Sequence, residues 1–384
     1  MTTLRRPDGL VVALRALDPA APWIAAWRDL SRRVLIDNLF YEADYALSAA
    51  GAFGQGVQVL LVGDRAPEEP GLRLLALWLC RRSRTRWGLP IPVAIGWMHP
   101  FGVFGAPLLD ADAAACALDA LLDGACALLS VHVMLTHVPT DGPFAALLDA
   151  VRPDARRATF WPHARAYLDL SGREFPERSQ YLAHLTARRR RRLRQSAERL
   201  SEGGPLTFET IRDPESLPEA LSDYVALESA GWKGRAGTSI APAEAAFLAG
   251  AVAALGETGR VRINRLARNG VTLASSITFT TRDKAWCVKI SFDEAEARHS
   301  PGAQLVHRLT RSLVDDPGIT GADSCAPPEF RLAETFWAER RALAHLLIAP
   351  AGTRLFPLAA RLERLRALAS RTWQARKRRI PAED

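Results

Sequence analysis

Between residues 286 and 303 the chain places a lysine, two serines and a glycine in an order that suits a phosphate group. Trp286, Val288, Ile290 and Phe292 alternate with Cys287, Lys289 and Ser291, a period of two that predicts a strand with Lys289 opposite the apolar face. Ser300-Pro301-Gly302-Ala303 follows, then Leu305, Leu309 and Leu313 up to the stop signal Asp315-Asp316-Pro317-Gly318. Ser300 fits an N-cap and Pro301 the first helical position, where a missing N–H costs nothing. The first turn of such a helix leaves backbone N–H groups unpaired, and these attract a pyrophosphate such as coenzyme A carries. A strand and a capped helix also form an ordinary packing unit, so the pattern alone leaves both readings open.

The rest of the chain must position that pair. Leu10 to Leu17 reads as an edge strand and Trp23 to Leu35 as an amphipathic helix; Asp37 to Tyr41 opens another helix. Val57 to Val62 and Leu72 to Cys80 read as strands joined by a Pro- and acid-rich loop, Ala111 to Leu129 as a helix, Val131 to Val138 as a strand. Tyr167 to Leu170 closes a first half, and Glu174 to Ser179 is the natural boundary. In the second half a helix is expected over Pro176 to Leu200, a strand over Leu206 to Ile211 and a helix over Pro214 to Ser229. Val261 to Ala267 and Thr272 to Thr281 flank Arg268-Asn269-Gly270, an Asn-Gly hairpin signal. A short strand, Ile319 to Ala322, runs into Asp323.

With 384 residues and 48% hydrophobic content, two folded domains are expected. The N-terminus lacks the apolar core of a signal peptide and no apolar run approaches membrane length, so a cytoplasmic protein is expected. The five cysteines lack metal-ligand spacing and read as reduced thiols, without a metal. The net charge of +8 is concentrated in two blocks. Arg188 to Arg192 with Arg194 lie on the helix predicted over 176–200, where only Arg189 falls on the apolar stripe of Leu182, Leu185, Leu193, Ala197 and Leu200. That block reads as a solvated face, an anionic substrate or phosphate contact, or a nucleic-acid contact. Arg371 and Arg376 to Arg379 follow a stripe of Leu355, Leu358, Leu362, Leu365 and Leu368, which docks a last helix on its own domain or rests it on a lipid surface.

Glu228-Ser229-Ala230-Gly231-Trp232-Lys233-Gly234-Arg235-Ala236-Gly237-Thr238, the Lys289 strand, Ser300-Pro301-Gly302 and the strand ending at Asp323 together resemble the acyltransferase domain of the GNAT superfamily. The likeness is to the branch holding the FemAB peptidyltransferases and the CelD-type proteins associated with cellulose biosynthesis. It covers residues 180 to 326 well and 35 to 170 more loosely; Asp37 to Tyr41 falls where relatives carry Asn-Pro-Phe, and Gly105-Ala106-Pro107-Leu108 matches their Gly-x-Pro-Leu turn. It implies an α+β fold of two tandem GNAT-like domains, each a mostly antiparallel sheet flanked by helices: a degenerate domain over 1–173, an acyltransferase domain over 174–350, and a basic amphipathic helix or tail over 351–384. One departure stands out: counting from Arg298, Pro301 occupies the place of the first glycine in the usual pyrophosphate loop. FemAB-like relatives share that form and some take aminoacyl-tRNA, so the donor stays open.

GNAT chemistry is direct transfer, in which an acceptor amine attacks the donor carbonyl in a ternary complex. By that analogy backbone N–H groups of the Lys289 strand meet the carbonyl, and Lys289 binds phosphate, a substrate carboxylate or the oxyanion. Asp323 is the first choice for the base, ahead of Asp293 and Glu294, while Glu228 orients its loop. The implied donor site is Lys289, Ser291, Ser300, Pro301, Gly302 and Ala303; the implied substrate site is Trp232, Lys233, Gly234, Arg235, Gly237, Thr238 and Arg189. His299 reads as an exposed loop residue. The expected function is acyl-CoA-dependent N-acyl transfer, with acetyl-CoA or another acyl-CoA, to a small amine such as an amino sugar or amino acid. An aminoacyl-tRNA-dependent transferase and a non-catalytic protein of a polysaccharide system are the alternatives.

Overall fold

The computed structural model describes residues 2–231, 240–327 and 330–377, with side chains through residue 370. The first part of the chain forms β1 (Thr2–Arg5), β2 (Val11–Ala16), α1 (Ile24–Arg32), α2 (Ala43–Phe53), β3 (Gln58–Gly63), β4 (Leu74–Ser83), β5 (Val93–Gly96), β6 (Leu108–Leu109), α3 (Ala114–Leu128), β7 (Val133–Pro139), α4 (Gly142–Val151) and β8 (Arg156–Asp169). The second forms α5 (Ala187–Ser201), β9 (Leu206–Ile211), α6 (Leu217–Ala230), α7 (Pro242–Gly256), β10 (Val261–Arg268), β11 (Val271–Thr280), β12 (Lys284–Phe292), α8 (Pro301–Val314), β13 (Gly321–Asp323), β14 (Glu339–Ala349) and α9 (Phe356–Lys377).

These elements make two compact units, one of residues 1–43, 54–163 and 342–384, the other of 44–53 and 164–341. In the first, β1 to β5 pair antiparallel in chain order, β5 pairs parallel with β7, and β7 pairs antiparallel with β14. In the second, β9 to β12 pair antiparallel in order, β12 pairs parallel with β13, and β13 pairs antiparallel with the end of β8. The two units repeat one plan. In the first, β14 comes from far down the chain to cover β7; in the second, the end of β8 pairs with β13. The β14 pairing carries residues 342–349 back to the first unit, where the sequence reading drew divisions at 173/174 and 350/351. In both units the strands pair mostly antiparallel and are flanked by helices, an α+β architecture.

Local chemistry explains the main features. Asn269 (φ 50°) and Gly270 (φ 81°) take the two positive-φ positions that the expected hairpin turn requires. Gly105 is required by contact: a Cβ there would lie 2.2 Å from the Thr136 carbonyl oxygen. The loop it belongs to is pinned by Asn38, whose side-chain amide donates to the Ala106 carbonyl at 2.7 Å. The strand expected at the sheet edge over 10–17 is β2, and β1 lies outside it.

The helix expected over 176–200 is two elements. Arg178–His184 is a 3-10 turn, and α5 starts afresh at Thr186, whose side chain accepts from the Arg189 N–H at 3.2 Å. Leu182 and Leu193 pack on the core of the second unit as the stripe required, but Arg189, in the first turn of α5, is exposed. The leucine stripe of the last helix also differs. α9 packs on its unit through Phe356, Ala359, Ala360, the half-buried Leu362 of the stripe and the fully buried Glu363, leaving Leu355, Leu358, Leu365 and Leu368 exposed. No helix among the described residues is long and apolar enough to cross a membrane.

Candidate active site

The site grows from an interruption in β12. Along β11 its register runs Ile277 opposite Lys289 and then Thr278 opposite Cys287, so Val288 is an extra residue without a partner. A bulge of this kind frees a backbone N–H and shifts the alternation of faces. Cys287 and Ile290, three apart, therefore reach the same core as α8, and Ile290 and Phe292 pack with Leu305. The sequence expectation that Trp286, Val288, Ile290 and Phe292 share one face is corrected by that bulge. Lys289 lies on the other side, toward α6, as expected.

On the opposite edge, β12 pairs with β13 only from Lys284 to Trp286. Beyond Trp286 the edge of β12 has no strand partner among the described residues.

Three side chains converge beside this stretch. Lys289 Nζ lies 3.5 Å from Glu228 Oε1, and the Tyr224 hydroxyl donates to Glu228 Oε2 at 2.7 Å. Glu228 is 2% exposed. Tyr224 and Glu228 are one helical turn apart on α6, which packs against β11 and β12. Burial, with the neighbouring Glu228 charge, pushes the Tyr224 hydroxyl well above its ordinary pKa, so it stays a donor. Burial likewise raises the Cys287 thiol to about 12, which removes it as a thiolate nucleophile.

The start of α8 adjoins Phe292. Pro301 is at the first helical position, as expected, and Ser300 precedes it in a left-handed conformation (φ 52°, ψ 54°) without a side-chain capping bond. The Ser300 carbonyl accepts from the N–H groups of Ala303 (3.0 Å) and Gln304 (3.2 Å), which leaves the Gly302 N–H for an anion. A Cβ on Gly302 would meet Phe292 Cδ1 at 3.2 Å. That glycine serves the fit of helix against strand as well as any ligand. α5 braces the turn: Gln304 donates to the Leu193 carbonyl at 2.7 Å, and the Ser196 hydroxyl bonds the His299 carbonyl. His299, expected in open solvent, is half-buried and bonds Glu296 through Nδ1 at 3.0 Å; Glu296 also accepts from Arg268 at 2.7 Å.

Asp323 lies in a different setting. It is 1% exposed, with Arg165 Nε 2.6 Å from Oδ1, Arg341 Nη1 2.8 Å from Oδ2, and the Cys325 N–H donating to Oδ1 at 2.8 Å. Burial alone raises a carboxyl pKa, but the two guanidiniums outweigh it and hold this one below the ordinary range. A carboxylate so paired is a poor proton acceptor, which argues against the general-base role expected of it.

The structure thus sets Lys289 and the bulge within β12, Lys289 on the α6 side, and places the Ser300-Pro301-Gly302-Ala303 turn beside Phe292 at the end of that strand. Ser291 is half-buried on β12 opposite Ser275. Asp293 caps the following turn through the Ala295 N–H at 2.9 Å, and a Cβ on Gly231 would lie 3.2 Å from Glu294 Oε1. Trp232, Lys233, Gly234, Arg235, Gly237 and Thr238 lie outside the described residues. Sequence reasoning missed Tyr224 and gave Glu228 only a loop-orienting role; their i, i+4 spacing was the available signal. Among the described residues no three His, Cys, Asp or Glu side chains are arranged to hold a metal ion.

Residues 187–330 match the family model described as an acetyltransferase (GNAT) domain, which spans α5 to just beyond β13. No curated protein matches the chain. Among solved structures, FemX is 11% identical with a TM-score of 0.58, covering 88% of this chain and 98% of its own. The C-terminal domain assigned to a lysylphosphatidylglycerol synthetase from Agrobacterium fabrum is 15% identical with a TM-score of 0.53, covering 90% and 94%. A conserved protein of unknown function from Bacteroides thetaiotaomicron is 11% identical with a TM-score of 0.50, covering 85% and 97%. At these identities the likeness establishes the fold. Residues 187–330 of the second unit are thus similar to a GNAT acetyltransferase domain, a likeness that supports acyl transfer in general.

Proposed function

We propose that the second unit transfers an acyl group from acyl-CoA, acetyl-CoA being the simplest donor, to the amine of a small acceptor such as an amino sugar or amino acid. The observation that carries this reading is the parting of β12 from β13 after Trp286, next to the bulge at Val288 and ahead of the open first turn of α8. A thioester laid along the free edge of β12 meets N–H donors for its carbonyl, and its pyrophosphate meets the Gly302 N–H. Ser291, Ser300, Pro301 and Ala303 shape that path.

The acceptor amine is mostly protonated at neutral pH and must lose a proton before it attacks. Glu228 is the group in place to take it, with Tyr224 holding one carboxylate oxygen and Lys289 beside the other. Asp323 then has a positioning role, fixing β13 against β8 through Arg165. Attack of the amine on the thioester carbonyl forms the amide and expels the coenzyme A thiolate, which takes up a proton.

A second reading, transfer from an aminoacyl-tRNA, is favoured by one observation. Arg188, Arg189, Arg191, Arg192 and Arg194 are exposed on α5, the helix that braces the start of α8. Isothermal titration of the full chain with acetyl-CoA, a long-chain acyl-CoA and total tRNA separates the readings. Saturable acyl-CoA binding with acetylation of an amine supports the first. Binding of tRNA alone overturns it in favour of the second, and binding of neither class leaves a non-catalytic fold.

A further inference from the structure

In most packed helices the large apolar side chains turn inward, whereas α9 sends most of its leucines outward. Its inward residues after Phe356 are Ala359, Ala360 and Ala367, with the half-buried Leu362 and with Glu363 among them. Glu363 is fully buried, accepts Arg86 through both oxygens at 2.8 and 2.9 Å, and accepts the Trp87 indole N–H at 2.8 Å. These contacts fix which side of the helix faces its unit. Outward go Leu355 (50% exposed), Leu358 (41%), Leu365 (54%) and Leu368 (53%), four of the ten exposed large apolar side chains among the described residues. Arg354, Arg361, Arg364 and Arg366 are exposed beside them, and the sequence continues into Arg371, Arg376, Lys377, Arg378 and Arg379. From Arg354 to Ser370 the one acidic residue is Glu363, which is turned inward.

We propose that this face of α9 docks the protein on an anionic lipid bilayer, the leucines entering the headgroup and acyl boundary and the arginines meeting the lipid phosphates. Charge decides between the occupants. A second copy of the chain meeting this face across a two-fold axis would set arginines against arginines with no carboxylate on the face to separate them. An anionic membrane offers apolar depth and negative charge together. The contact lies on the first unit and stands independently of the reaction proposed for the second.

Co-sedimentation of the full chain with vesicles of phosphatidylcholine alone, and of phosphatidylcholine mixed with phosphatidylglycerol, tests this at low and at high salt. Binding is expected to the mixed vesicles, to weaken with salt, and to be slight on phosphatidylcholine alone. The double variant Leu358→Glu and Leu365→Glu changes two exposed positions and should abolish sedimentation while elution volume and acetyl-CoA affinity stay as in the wild type. Arg361→Gln and Arg364→Gln should each lower partition roughly fivefold, the equivalent of about 1 kcal/mol per surface charge. Absence of wild-type binding to the mixed vesicles would overturn the proposal whether or not the variants fold. So would unaltered binding by the double glutamate variant, or a dimer that this variant dissociates in the absence of any lipid binding.

Discussion

Replacing Asp323 by Asn separates a structural carboxylate from a catalytic one. Asp323 is 1% exposed, and the side chain of Arg165, which faces it, is 2% exposed. Arg341 is 18% exposed and also rests over the rings of Tyr167 and Trp286 at 4.3 and 5.4 Å. Removing the negative charge leaves the Arg165 guanidinium buried without its counter-ion, a change that costs about 3–5 kcal/mol. Asparagine keeps one oxygen acceptor and Arg341 keeps its aromatic contacts, so about 3 kcal/mol is the expected loss, at the lower end of that range. Urea unfolding of the wild type, Asp323→Asn, Arg165→Met and the double variant gives the coupling directly, and the double variant should recover part of the loss. The pH dependence has a definite sign. The folded carboxyl titrates below its unfolded value, so it adds stability above about pH 3.9 and loses it as pH falls through the folded pKa. The wild type and Asp323→Asn should therefore converge in strong acid. A variant that unfolds within about 0.5 kcal/mol of the wild type, yet has kcat lowered by about 10² to 10⁴ at unchanged donor affinity, would refute this and restore Asp323 as the base.

Glu228→Gln should lower kcat by about 10² to 10⁴ with little change in acetyl-CoA affinity by titration, and an active variant removes Glu228 from proton transfer. Gly302→Val should weaken donor binding and also destabilise by about 1–3 kcal/mol in urea, because the new side chain presses on Phe292. His345 is pushed down to about 4, chiefly by burial and then by Arg86. The unfolded chain gains its proton near pH 6.5 while the native state resists until about 4, so stability should fall across that window by up to about 3 kcal/mol, and the slope should flatten in His345→Asn. If the α5 arginines contact a nucleic acid, tRNA affinity measured by filter binding should fall steeply with salt; no binding at low salt leaves them as a solvated face.

Much of this was legible where local chemistry decides the outcome. Asn269-Gly270 forces its hairpin, Pro301 opens α8, and alternation marks β12. What alternation cannot reveal is an inserted residue, because Val288 is apolar and fits either face until its partner strand is seen. β14 was not foreseen, since its pairing with β7 joins residues some two hundred positions apart. The Ala-rich α7 has apolar residues on all sides and gives no helical stripe. The stripe on α9 left open whether it docks on its own domain or rests on a lipid surface; the buried Glu363 with Arg86 and Trp87 turns Leu362 inward and leaves Leu355, Leu358, Leu365 and Leu368 outward. At the site, Lys289 and the α8 turn stood out by residue type, whereas the roles of Glu228 and Asp323 depend on neighbours from distant strands and helices.

The late arrival of β14 has a consequence for the order of events on the ribosome. The first unit has most of its strands once residue 163 has been made, but β14, which covers β7, is complete only at Ala349. At about 5–20 residues per second the intervening stretch takes roughly 10–40 s to synthesise. Throughout that interval β7, with Val133, Met134 and Leu135, presents an open apolar edge of the kind that chaperones bind and that pairs with other chains. The second unit has no such wait, because β8 is already made when its own strands emerge. The nascent chain should therefore complete its later half first, and a stop after residue 341 should leave the earlier half as the part that aggregates.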